Sequence, residues 1–141
     1  MTALYDAIGR AISTVRERYE NDGSDPARVM LVILTDGEEN ASHEYTREQI
    51  VSMIDTCQKD LKWAVMYLSA SVDAFKGAGS IGINSAHTIR FAHTGSGMRC
   101  AAMTMNFMVA DYNNTGTIGT AQSYAAAVDP KGKNLTTQPD K

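Results

Sequence analysis

Three observations predict an α/β fold for this 141-residue chain, a three-layer sandwich in which a parallel sheet lies between helices. Two runs, Val29 to Leu34 and Lys62 to Ala70, are apolar without alternation, the pattern of strands covered on both faces. Around them apolar residues recur every three or four positions, the period of an amphipathic helix. Strands and helices alternate along the chain, and right-handed strand–helix–strand crossovers build a parallel sheet with helices on its faces.

Each element has its own signal. Leu4, Ile8, Ile12, Val15 and Tyr19 share one stripe, so Ala3 to about Glu20 forms a helix with one buried face. The segment NDGSDP ends it, because Asn21, Asp22 and Gly23 favour turns and Pro26 cannot continue a helix. Val29 to Leu34 then reads as a central strand. Thr46 to Gln49 has the form of a capping box, in which the Thr hydroxyl and the Gln side chain each bond the other residue's backbone N–H. The helix it starts carries Ile50, Met53, Ile54, Cys57 and Leu61 on one face. Lys62 to Ala70 is the second strand, Ser71 to Gly79 a helical turn or two weakened by Gly77 and Gly79, and His87 to His93 a short alternating third strand. Met98, Ala102, Met105, Val109 and Tyr112 mark the core stripe of a last long helix. From Asn113 onward Gly, Thr, Asn and Pro dominate, apart from the alanine-rich Ala121 to Val128, so the organisation expected is a domain over residues 1–112 and a mobile tail over 113–141.

Composition narrows the function classes. Forty-three per cent hydrophobic residues suffice for one core of this size. A net charge of -3, with no Lys/Arg run to track a phosphate backbone, argues against nucleic acid as a partner. No apolar stretch approaches the ~20 residues that span a bilayer, so no membrane association is expected. Cys57 and Cys100 both fall in helical patterns, which fits a reducing compartment and a cytoplasmic chain.

The stretch Arg28 to Asn40, RVMLVILTDGEEN, carries the candidate chemistry. Its apolar half is the strand, and its acidic half is the turn that follows at the carboxyl edge of the sheet, where α/β folds bind ligands. Asp36, backed by Gly37, is positioned to offer a carboxylate to a hard cation such as Mg²⁺, which needs few protein ligands if they are rigid. Thr2, at the start of the first helix, could add a hydroxyl at the same rim. Glu38, Glu39 and Glu44 read as a solvated acidic loop, and Met98, Met103, Met105 and Met108 as core filling on the last helix. No nucleophile is paired with a base, so binding is expected rather than catalysis.

MTALYDAIGRAI followed by RVMLVILTDGEEN resembles the second half of a von Willebrand factor A (vWA) domain, and Lys62 to Ile83 is similar to vWA-like proteins of bacteria and their phages. The resemblance covers Thr2 to about Tyr112 and implies a Rossmann-like fold, of which about three strands are in this chain. In that family the helix-start threonine and the Asp of T-D-G-E belong to a metal-ion-dependent adhesion site, and Thr2 and Asp36 fall on those positions. The function implied is metal-dependent binding of a partner's acidic side chain through Mg²⁺ or Mn²⁺. A structural subunit without a working metal site, and less so a metal-dependent Rossmann-like hydrolase, are the alternatives.

The chain departs from the family at one point. The D-x-S-x-S motif that supplies an Asp and two Ser to the metal is missing from these residues, and with it the strand that pairs with Val29 to Leu34. Weak metal binding is the expected result, because two protein ligands leave the other positions to water. Three origins are weighed: a fragment of a longer vWA protein, which is favoured, a half completed by another polypeptide or second copy, and a remnant. The unpaired apolar strand is also a template for self-association through Val29 to Leu34.

Overall fold

The computed structural model of the chain describes residues 3–23, 29–35 and 41–138. Their order is α1 (Leu4–Asp22), β1 (Met30–Thr35), α2 (Arg47–Lys59), β2 (Ala64–Ser69), α3 (Ala74–Ser80), a 3-10 turn (Ser85–His87), β3 (Thr88–Phe91), α4 (Gly95–Thr115), α5 (Ala121–Val128) and β4 (Leu135–Thr136). The fold is mixed α/β, with a four-stranded sheet in the order β1-β2-β3-β4. β1 runs parallel to β2, with Met30 opposite Ala64 and Thr35 opposite Ser69. β2 runs parallel to β3, and the short β4 closes the far edge antiparallel to β3.

The strand period sorts the core into two clusters. Alternate residues of β2 point to opposite faces: Val65 and Tyr67 pack with Ile8, Ile12, Ile50, Ile54 and Ala78 on one side, Met66 and Leu68 with Ala101, Met108 and Tyr124 on the other. Helices α1, α2 and α3 therefore cover one face and α4 and α5 the other. The two parallel crossovers step the same way across the sheet, so crossovers of one hand deliver α2 and α3 to the same side. Cys57 and Cys100 belong to opposite faces and are both free thiols. Among the described residues no helix is long and apolar enough to cross a membrane.

Local chemistry sets several element ends. Thr46 Oγ1 accepts from the Gln49 N–H at 3.2 Å and Gln49 Oε1 accepts from the Thr46 N–H at 2.8 Å, so the capping box read in the sequence starts α2. Thr94 Oγ1 accepts from the Gly97 N–H at the start of α4, and Thr120 does the same for Ser123 at the start of α5. Gly97 is required there by space: a Cβ would lie 1.8 Å from the Ala92 carbonyl oxygen.

Three expectations need correction. The apolar run of Val29 to Leu34 reads as a central strand, yet among the described residues β1 pairs with β2 alone and stands at the sheet edge, in line with the missing neighbour, with Leu34 47% exposed. A continuous apolar run reports covered faces, not the number of neighbours, and the strand buried at all six positions is β2. On α4 the buried face is Gly97, Ala101, Thr104, Met108 and Tyr112, while Met98, Met103 and Val109 are about half exposed. Small residues let that helix approach the sheet closely, and Thr104 is buried without penalty because its hydroxyl donates to the Cys100 carbonyl at 2.7 Å.

The third correction concerns residues from Asn113 onward. Rather than losing periodic structure, they continue α4, form α5 and supply β4, and Ala121, Tyr124, Ala125 and Leu135 are core residues. Two polar side chains hold this region. The Tyr124 hydroxyl donates to Asp111 at 2.7 Å and accepts from the Gly119 N–H. Burial and the Asp111 bond push its pKa up to about 12. The Asp129 carboxylate accepts from the backbone of Lys133, Asn134 and Leu135, shaping the turn that delivers β4, and those bonds hold its pKa below the usual range.

Candidate functional site

The rim at the carboxyl ends of the parallel strands is formed on the β1 side by the segment that leads to α2 and by the first turn of α1. Asp6 joins them. Its backbone N–H donates to Ser42 Oγ at 3.0 Å, and its carboxylate accepts from the backbone N–H groups of His43 at 2.9 Å, Glu44 at 2.9 Å and Tyr45 at 3.0 Å. The residue is 7% exposed. Burial alone would raise its pKa, but the hydrogen bonds from His43 and Tyr45, with the nearby Arg10 charge, outweigh it and hold the carboxyl below the usual range. The site thus keeps a charged carboxylate at the start of α1, where the helix dipole also favours it.

Further contacts fix the same segment. The Tyr45 ring rests on Gly9, where a Cβ would come within 2.6 Å of three ring carbons, so only glycine admits the ring. The Tyr45 and Ser13 hydroxyls lie 3.2 Å apart, and Arg10 forms a two-point ion pair with Glu44. This exposed pair leaves Glu44 engaged with an arginine instead of acting as part of a free acidic loop.

Thr2 and Asp36, the two expected metal ligands, lie outside the described residues, as do Glu38 and Glu39. Of the described elements next to them in sequence, α1 begins two residues after Thr2 and β1 ends one residue before Asp36, and Asp6 ties the start of α1 to residues 42–45. Among the described residues no three His, Cys, Asp or Glu side chains are grouped to hold a metal ion. The one carboxylate that they bring to this rim in a buried position, Asp6, already accepts three backbone hydrogen bonds.

Sequence reasoning missed Asp6. Its only signal was an acidic residue in the first turn of a helix, which most helices can carry without a distant partner. Asp73 is the N-cap residue of α3, and its side chain makes no capping hydrogen bond.

At the opposite edge, near the amino ends of β2 and β3, Lys62, Trp63, His87, Tyr112 and Ile118 line a cavity of about 310 Å³. Lys62 has a left-handed backbone, φ 59°, uncommon outside glycine. His87 Nδ1 is buried and, among the described residues, has no hydrogen-bond partner; burial lowers the imidazole pKa.

Comparison of the chain with protein-family models, with curated proteins and with solved structures gives no match. The class defined by these features is that of a mixed α/β domain with a mostly parallel sheet, in which Asp6 ties the first turn of α1 to residues 42–45.

Proposed function

We propose that the chain is a vWA-like interaction module, cytoplasmic in setting, that presents a divalent cation at the rim beyond β1. Asp36 and Thr2 are its protein ligands in this reading, and an acidic side chain of a protein partner completes the coordination. The observation that supports the proposal is the Asp6 clamp, which ties the first turn of α1, shortly after Thr2 in sequence, to residues 42–45, shortly after Asp36. Mg²⁺ or Mn²⁺ suits such a site, because hard cations take oxygen ligands and retain water in the positions that protein does not fill. Binding is accordingly weak in the isolated chain.

Calorimetric titration of the wild type and Asp36→Ala with Mg²⁺ and Mn²⁺ tests this reading. Saturable heat in the wild type that the variant loses supports it, and identical traces reject it. A second reading, a structural subunit with no metal, is favoured by one feature: the buried rim carboxylate of Asp6 is committed to backbone amides and not free for a cation. Identical traces with an intact fold would move the assignment to that reading.

A further inference from the structure

We infer that two copies of this chain pair through the outer edges of their β1 strands, antiparallel, to make one continuous sheet. The inference is independent of the metal reading. Among the described residues β1 has a neighbour on one side only, and the segment Met30 to Leu34 carries no charge, proline or bulge of the kind that protects natural sheet edges.

The second copy is the occupant because the strand is complementary to itself. With a two-fold axis at Val32, Met30 faces Leu34 of the other copy and Leu31 faces Ile33, so apolar residues meet on both faces of the joined sheet. The axis is perpendicular to the sheet and keeps each face on its own side, which brings the two α4 helices together. The flank of α4 that faces the axis is the one without a helix beside it. Asp111 bonds Tyr124 of α5 on one flank, and Met98, Met105 and Val109 occupy the opposite one by helical geometry. Met105 shares its cluster with Met30 and Val32 of β1, all only partly buried, and Met98, Val109 and Leu34 are each about half exposed. Pairing would cover all of them.

The size of the contact fits a reversible dimer. Five strand residues span about 17 Å, and a sheet with a helix layer on each face is about 30 Å thick, so each copy buries about 500 Å². The total of about 1,000 Å² is at the threshold for a specific interface, so a weak, reversible dimer with a dissociation constant in the micromolar range is expected.

Sedimentation velocity from about 1 μM to about 300 μM brackets such a constant. The mass should move from 15.3 kDa towards twice that value across the series, and a chain that stays at 15.3 kDa throughout overturns the inference. Leu34→Lys places a charge at an exposed edge position, so it should keep the wild-type circular dichroism spectrum and raise the dissociation constant at least about tenfold. Val32→Cys tests the register, because residues directly opposite in antiparallel strands are about 5 Å apart at Cα, within disulfide reach. Under mild oxidation it should give a covalent dimer that Ser52→Cys, on the exposed side of α2, does not. A dimer unaffected by Leu34→Lys, or one that crosslinks no faster at residue 32 than at residue 52, would show that the copies meet elsewhere and overturn the β1 pairing.

Discussion

At the scale of single residues, Asp6 is the side chain on which the rim depends. Three backbone N–H donors converge on its carboxylate, and removal of that group leaves them without this partner in a part-buried place. Asp6→Ala should therefore lower the urea midpoint and speed hydrogen exchange at His43, Glu44 and Tyr45, with Asp6→Asn intermediate because an amide keeps one acceptor oxygen. The effect should depend on pH in a defined direction. The folded pKa lies below the unfolded value near 3.9, so the stabilisation is present above that value and is lost as pH falls through the folded pKa. The gap in urea midpoint between wild type and Asp6→Asn should hold from about pH 7 to about pH 5 and narrow towards pH 3; a constant gap would contradict the assignment. None of this was visible in the sequence, where the partners of Asp6 are 36 to 39 positions away.

At the scale of elements, legibility followed the range of the forces involved. The start of α2 was readable because a capping box is complete within four residues. Thr46→Ala should cost about 1 kcal/mol in chemical denaturation, the usual value of a lost N-cap. The phase of α4 was not readable. Two stripes of the helix have the right spacing, and the more apolar one, through Met98, Met105 and Val109, looked like the core. The helix instead buries the stripe of smaller residues, because Gly97 and Ala101 permit a close approach to the sheet and Tyr112 closes its end. Gly97→Ala should destabilise the protein by about 3 kcal/mol, since the added methyl meets the backbone of Ala92, which cannot rotate aside. A midpoint shift below about 1 kcal/mol would mean that the β3–α4 turn relaxes more readily than this packing implies.

At the scale of the whole molecule, the two faces of the sheet are completed by different parts of the chain. The α1–α2–α3 face is local in sequence, and the opposite face needs α5 and β4 from the region that reads as a tail. A chain ended at Gly116 loses Ala121, Tyr124, Ala125 and Leu135 from the second cluster and bares Met66, Leu68 and Phe91 beneath them. It should bind a hydrophobic dye and unfold without a cooperative transition, whereas a separable tail would leave the urea curve of the remainder unchanged. The tail was missed because its order comes from packing and from Asp129 and Tyr124 hydrogen bonds, and its composition gives no period.

The sequence by itself determined the class of fold, the order of helices and strands as far as α4, the cap of α2 and the apolar character of β1, because each is written in spacing or composition over a few residues. Tertiary structure alone decided that α4 turns its small residues inward, that the last residues close the sheet and that Asp6 clamps the rim. Those outcomes depend on which distant groups can approach closely enough to exclude water and satisfy one another's hydrogen bonds, a condition that no local pattern encodes.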